Sequence, residues 1–279
     1  MAVSQEKHSG EGFSKDNNGL NIVQLTDLHL FADPESRLLG IQTEESFLSV
    51  LELAQKQHAK PDLMLFTGDL TQDASAAAYQ RLQDYLSKLD IPCYCLPGNH
   101  DDPELMRSLL NFNNIKTSSS ILQKKWQIIC LNSKLPGSEG GHLAAKELKL
   151  LKQSLKSHPD KPTLIVLHHP PLPVGSPWLD TMTLDNPDAL FEIIHQNPQV
   201  KGLLVGHVHQ DQDWQQNGVR LLTTPSTCFQ FKPNSRDFAL DQQPPGYRWL
   251  SLHQNGSIET GISRLASMPE GLNNGSLGY

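Results

Sequence analysis

Residues 21–30 read NIVQLTDLHL: a short apolar run that ends at residue 26 and gives way at once to Asp27 and His29. A run of this length bounded by a polar cluster predicts a buried strand. Residues two apart on its exit can face the same way, so a carboxylate and an imidazole are able to clasp one ion. The same arrangement returns along the chain. Residues 63–67 lead to Gly68-Asp69, 92–96 to Asn99 and His100, 164–167 to His168 and His169, and 202–205 to His207 and His209. Five strands thus end in metal-capable side chains, and the C-terminal ends of strands in an open sheet share one crevice. Six of the twelve histidines fall in these turns. Reading each as an ordinary surface or core histidine would require five independent coincidences.

Outward from these turns, helical spacing of apolar residues predicts helices at about 44–58, 75–88, 102–110, 144–157 and 186–196, with Asp, Ser or Thr near several starts. A further strand is expected at 128–132. Alternation of strand and helix predicts an α/β fold with a largely parallel sheet covered by helices. After residue 200 the pattern turns to strands alone, at 219–224, 247–252 and 258–262, and a second, mixed or antiparallel sheet is expected there. Residues 1–20 and 266–279 read as polar tails around a catalytic domain at 21–265. Proline-rich loops at 170–177 and 225–245 are long for a compact domain, and such loops beside strand ends carry substrate contacts.

Bulk properties narrow the function. With 279 residues, 37% hydrophobic and 19% charged, one globular domain is the default. A net charge of −7 offers no basic surface to a nucleic-acid backbone, so a small substrate is favoured over a polymer. No stretch has the length and apolarity of a membrane helix, and the N-terminus lacks the apolar centre of a signal peptide; a cytoplasmic protein without a membrane partner is expected. Cys93, Cys95, Cys130 and Cys228 show no paired metal or redox spacing and read as buried thiols.

The donor set indicates the chemistry. Asp69 has two carboxylate oxygens and can bridge two cations, which lie about 3.5–4 Å apart in two-metal sites. His207 and His209 share a face and can reach different metals, while His168 and the amide oxygen of Asn99 complete the count. Mixed nitrogen and oxygen donors suit Mn, Fe or Zn better than Mg or Ca.

The series DLH, GDL, GNHD, HHPP and GHVH, in this order, resembles the signature of the calcineurin-like metallophosphoesterase superfamily. Finer strings, FADPESRLLGIQT, GDLTQDAS, LPGNHD, HHPPLPVGSPWLD and TPSTCFQFKP, are similar to the bacterial class III 3′,5′-cyclic AMP phosphodiesterases over roughly residues 20–265. The resemblance implies a four-layer αββα sandwich of two packed, mixed β-sheets with the metal site at the strand C-terminal ends. It implies that Asp27, His29, Asp69 and His209 hold one metal and Asp69, Asn99, His168 and His207 the other, both the divalent Fe or Mn of that family, with Zn as the alternative. It places His29, Asp69, Asn99, His100 and His209 against the substrate phosphate, makes His100 the catalytic residue that helps the leaving group depart, and gives it Asp73 as acidic partner. The implied reaction is hydrolysis of 3′,5′-cyclic AMP to 5′-AMP by a metal-activated water.

Chemistry alone reaches a similar mechanism, since a cation lowers the pKa of water from about 15.7 toward 7 and a histidine titrating near neutrality suits protonation of a departing 3′ oxygen. The alternative is the same chemistry on another phosphodiester or a phosphomonoester, because such a site dictates reaction type more than substrate. Two smaller readings stay open: His169 orients its loop or bonds a backbone carbonyl, and Phe229 and Phe231 either face an adenine ring or pack in the core.

Overall fold

The structure, a computed structural model, describes residues 13, 19–216, 218–273, 275, 276 and 278. Strand β1 (Leu20–Leu25) is followed by a small hairpin, β2 (Arg37–Leu38) and β3 (Ile41–Gln42), then α1 (Thr43–Gln57), β4 (Leu63–Thr67), α2 (Ala76–Leu86), β5 (Cys93–Leu96), α3 (Pro103–Leu109) and β6 (Ile115–Lys116). The second half runs β7 (Ser120–Gln123), β8 (Trp126–Cys130), α4 (Ala145–Ser157), β9 (Thr163–Val166), α5 (Pro187–His195), β10 (Val200–Val205), β11 (Asp213–Gln216), β12 (Val219–Thr223), β13 (Gln230–Phe231), β14 (Leu240–Asp241), β15 (Gly246–Leu252) and β16 (Ile258–Arg264). Helix starts follow local chemistry: Ser75 caps α2 by accepting from Ala78 N, Asp102 caps α3, and prolines occupy the first positions of α3 and α5.

Two six-stranded sheets result, ordered β16-β15-β1-β4-β5-β6 and β11-β12-β10-β9-β8-β7. Both are mixed: β1, β4, β5 and β6 run parallel with an antiparallel pair at one edge, and β8, β9, β10 and β12 run parallel between antiparallel β7 and β11. The expected grouping of all late strands into a second sheet is therefore corrected. Strands β11 and β12 do pair beside β10, but β15 returns to the first sheet and lies antiparallel to β1 with Ile22 opposite Leu250. Periodicity locates strands but cannot assign an antiparallel edge to one of two sheets.

Alternation along each strand explains the layering. In β4, Leu63 and Leu65 join a cluster with Leu164, Val166, Leu204 and Leu250 drawn from both sheets, whereas Met64 and Phe66 join Phe47, Val50, Tyr79 and Leu82 of α1 and α2. Strands buried on both faces read as unbroken apolar runs for this reason. On the other side α4 and α5 cover the second sheet through Leu151, Leu155, Leu190 and Ile194. The order of layers is helix, sheet, sheet, helix, the αββα sandwich.

The expected tail at 1–20 falls mostly outside the described residues; Leu20 already belongs to β1, and Phe13 packs its ring 4.4 Å from that of His58. Beyond residue 265, Leu272 packs against the cluster of Phe229 and Phe231, and Asn273 N donates to Leu39 O. The division of the chain at 20 and 266 remains a proposal about where the domain ends.

Leu204 lies fully buried at the contact between the sheets. Leu204→Ala is expected to lose about 2–5 kcal/mol in denaturant unfolding, whereas Leu122→Thr, at a side chain 51% exposed on edge strand β7, should stay within about 0.5 kcal/mol. Similar losses at both positions would contradict the two-sheet core.

Candidate metal centre

Each of the expected turns leaves the C-terminal end of a parallel strand, and the hydrogen-bond ladder continues into it: Asp27 N donates to Gly68 O at 3.0 Å, His29 N to Asp69 O at 2.9 Å, and Gly206 N to His168 O at 3.1 Å. Asp27, His29, Asp69, His207 and His209 all take left-handed backbone conformations, with φ between +48° and +68°. Such values are uncommon for residues with side chains and concentrate at functional sites. The motif glycines are fixed by the side chains they admit. A Cβ on Gly68 would stand 2.3 Å from His168 Nδ1, and one on Gly98 would stand 2.2 Å from Asp69 Oδ1.

The side chains so placed converge. His168 Nε2 lies 3.2 Å from Asp69 Oδ2, 3.2 Å from Asn99 Oδ1 and 3.9 Å from Asp27 Oδ1. His209 Nε2 lies 3.3 Å from Asp27 Oδ1 and 3.3 Å from His29 Nε2. Ligating atoms of Asp27, His29 and His209 fall within 4.8 Å of one another, as do those of Asp27, Asp69 and His168. Asp27, His29, Asp69, His168, His207 and His209 are buried, and Asn99 and His100 are half-buried at the opening.

The outer partners settle which nitrogens face inward. His168 Nδ1 donates to the Thr67 carbonyl at 2.9 Å, and His209 Nδ1 to the Phe229 carbonyl at 3.0 Å. His29 Nδ1 lies 2.7 Å from Gln72 Oε1. An imidazole that donates from Nδ1 presents a lone pair at Nε2, so lone pairs and carboxylate oxygens point into one small volume. That arrangement repels itself unless a cation lies among its members. His207 makes the same case more simply, because both of its ring nitrogens are buried without a hydrogen-bond partner. The residues present therefore fit a metal-ion centre.

Electrostatics agree. Burial pushes His29 down to about 3 and His207 well below the usual histidine range, which keeps their nitrogens unprotonated at neutral pH. Burial alone would raise Asp27 and Asp69, yet the neighbouring imidazoles, His209 for the first and His168 for the second, hold both carboxyls below their ordinary value. Burial also opposes a charged His168, but Asp69, Asp27 and the Thr67 carbonyl together outweigh it and hold this group up at about 9. A proton there stands where a cation would draw the same two ligands together.

Other expectations sort clearly. His100 N donates to Asp69 Oδ1 at 2.9 Å, and its Nδ1 lies 3.3 Å from the Gln72 carbonyl. Asp73, expected as its acidic partner, instead accepts from Ala32 N and Ser75 N at 2.8 and 3.1 Å, a turn-stabilising role at the start of α2. The short side chain reaches its nearest backbone amides, and the Gln72 carbonyl is one group beside His100. His169 contacts Ser133 Oγ at 2.8 Å and donates to the Glu139 carbonyl at 3.2 Å, which matches its loop-orienting reading. Phe229 and Phe231 are fully buried; Phe231 stacks on His209 at 4.4 Å, so both rings back the imidazoles from the core. The four cysteines are buried free thiols.

Two supporting residues were not singled out from the sequence. Gln72 orients His29, although three positions after Asp69 in an irregular loop nothing marks it. Asp101, the last letter of GNHD, is fully buried and accepts from Gly98 N, Leu70 N, Thr71 N and Tyr79 OH, tying two metal turns together. A carboxylate placed directly after Asn99 and His100 was a readable signal for that second case.

Comparison with known proteins accords with this site. The model of the calcineurin-like phosphoesterase family matches residues 20–211. The chain is 47% identical over 251 residues to the 3′,5′-cyclic adenosine monophosphate phosphodiesterase CpdA of Vibrio vulnificus, covering 90% of this chain and 92% of the relative. It is 43% identical over 248 residues to the protein of the same name from Escherichia coli K12, covering 88% and 90%. Among solved structures, the purple acid phosphatase PPD1 from yellow lupin superposes with a TM-score of 0.61 at 12% identity, over 88% of this chain and 51% of that one. A dimetal phosphatase from Danio rerio superposes with a TM-score of 0.59 at 15% identity, over 86% and 98%. Among the described residues no helix is long and apolar enough to cross a membrane. With the αββα layers, the ligand turns and these matches all in agreement, the chain belongs to the calcineurin-like phosphoesterase family, whose members imply a dinuclear metal centre at this position.

Proposed function

We propose that the chain is a metal-dependent phosphodiesterase that hydrolyses 3′,5′-cyclic AMP to 5′-AMP. The observation that carries the reaction type is the convergence of lone pairs and carboxylates at the strand ends, which suits two divalent cations. The substrate reading is supported by the curated relatives named for cyclic AMP hydrolysis and by the acidic net charge of −7, which favours a small anionic ester over nucleic acid.

In this reading Asp27, His29, Asp69 and His209 hold one cation and Asp69, Asn99, His168 and His207 the other. The donor set favours iron or manganese, with zinc as the alternative. When bound, such ions supply Lewis acidity toward the phosphoryl oxygens and lower the pKa of water. The chain's own part is positional and protonic. Thr67, Phe229 and Gln72 fix the rings of His168, His209 and His29 so that Nε2 points inward. His100 is held by its amide on Asp69 and by Nδ1 on the Gln72 carbonyl, and it donates the proton that the departing 3′ oxygen takes. The ligand side of the crevice, including His29, Asp69, Asn99 and His209, faces the phosphate. Asp73 is given no step in this reading; its carboxylate accepts from the Ala32 and Ser75 amides.

Exhaustive chelation should abolish cyclic AMP turnover and added Mn or Fe should restore it; undiminished turnover in protein shown to be metal-free by elemental analysis would end this reading. Asp69→Ala should lose metal from both positions while Asp27→Ala chiefly weakens one, and two tightly held ions in Asp69→Ala would show that the bridging carboxylate is misplaced. His100→Ala should keep its metal content but turn over cyclic AMP roughly 10²–10⁴ more slowly. Its effect on bis(nitrophenyl) phosphate, whose leaving group departs without protonation, should be much smaller. Equal losses on the two esters would assign His100 to charge stabilisation instead of proton donation.

A further inference from the structure

The turn carrying Asn99 and His100 is an irregular loop between β5 and α3, held within itself and to the Asp69 turn by backbone amides. Gly98 N donates to Asp101 Oδ2 at 2.9 Å, and His100 N to Asp69 Oδ1 at 2.9 Å. Asp101 also accepts from Leu70 N, Thr71 N and Tyr79 OH, which ties the turn to the Asp69 turn and α2 but leaves its outward carbonyls to other donors. Both carbonyls that flank His100 are instead taken by one side chain from the other sheet: Lys134 Nζ donates to Asn99 O at 2.8 Å and to Asp101 O.

Lys134 lies on the connection from β8 to α4, and that connection is itself anchored. Asn132 N donates to Glu147 Oε2 at 3.1 Å, Lys134 N to Asn132 Oδ1 at 2.9 Å, and Ser133 Oγ contacts His169 Nδ1 at 2.8 Å. A lysine usually meets a carboxylate, yet no carboxylate lies within 4.0 Å of this ammonium among the described residues. Its two hydrogen bonds are charge-assisted, and such bonds are shorter and roughly twice as strong as neutral ones. Half-burying an ammonium on two carbonyls costs desolvation; the Asp102 carboxyl feels its charge from farther away, and the two carbonyl bonds place the turn.

We propose that Lys134 is a positioning residue for this reaction, a clamp from the second sheet that fixes the Asn99–His100 turn and thereby sets Asn99 toward the metal position and His100 toward the leaving oxygen. The inference rests on the roles given above to Asn99 and His100. His169 belongs to the same device at one remove, since it secures the neighbouring Ser133.

The test compares Lys134→Met, which keeps the stem and removes the donors, with Lys134→Arg, which restores two donors. In metal-free protein, amide hydrogen exchange across residues 98–102 should quicken roughly tenfold in Lys134→Met and return toward the parent rate in Lys134→Arg, while exchange in β10 stays unchanged. With Mn restored, the ratio of cyclic AMP turnover to bis(nitrophenyl) phosphate turnover should fall by roughly tenfold or more in Lys134→Met, the direction expected when His100 is misplaced, and Arg should recover it. If Lys134→Met does not fold, Lys134→Gln is measured in the same way. Unchanged exchange at 98–102, or a thermal loss with an unchanged ester ratio, would overturn the proposal. The exchange measurement needs neither metal nor cyclic AMP, so it stands or falls separately from the assignment of substrate.

Discussion

Carboxylates and imidazole lone pairs buried together repel, and the molecule is organised around holding them in place despite that repulsion. The backbone does most of the holding. Asp27, His29, Asp69, His207 and His209 are forced into left-handed conformations, each costing of order 1–3 kcal/mol relative to ordinary geometry. A surrounding structure has to over-determine such residues for them to persist. Here it does so with parallel ladders continued past the strand ends and with glycines that leave room for the next ligand, as Gly68 does for His168. Metal binding to the native form alone would offset the stored strain, since a ligand that prefers the folded state stabilises it.

The same requirement explains the polar bonds between the sheets. The faces in contact are apolar through most of their length, but toward the metal end Gln24 donates across them to Val205 O at 3.3 Å and within its own sheet to Thr67 Oγ1 at 2.8 Å, and Thr224 Oγ1 donates to Gln24 Oε1. Ser226 Oγ reaches the Asp27 carbonyl at 2.8 Å, and His168 reaches Thr67 O. Apolar packing is tolerant of small sliding motions; directional bonds at fixed points are not. The two halves of the ligand set come from different sheets, so their registry at this end is what makes one site from two sets of turns.

Much of this was legible in the sequence, for physical reasons. Strands buried on both faces announce themselves as apolar runs, and ligands that must sit on strand exits follow them immediately, so DLH, GDL, GNHD, HHPP and GHVH could be found without coordinates. The helices agree with their predicted positions to within a residue or two at most ends, because Ser75, Asp102 and the prolines at 103 and 187 mark their starts. What escaped depends on long-range geometry. No pattern in residues 246–252 says that β15 joins the first sheet, Asp73 could not be told from a residue that binds nearby amides, and Lys134 and Gln72 act through atoms whose partners are distant in the chain. The contribution of Phe229 and Phe231 was ambiguous for a similar reason: an aromatic ring behind an imidazole and one in front of a nucleobase have the same sequence signature.

The pairing of β1 with β15 has a consequence for how the chain is made. Strand β1 leaves the ribosome before β4 to β14, and it carries Asp27 and His29 on its exit, yet its antiparallel neighbour spans Gly246–Leu252. Residues so far apart in sequence meet only after a large loop has closed, a slow event for sheets dominated by non-local contacts. During synthesis one edge of β1 therefore lacks its partner until residues 246–252 have been translated. Unpaired strand edges in incomplete chains invite wrong pairing, so the edge of β1 stays open to it until the β15–β16 hairpin closes over it.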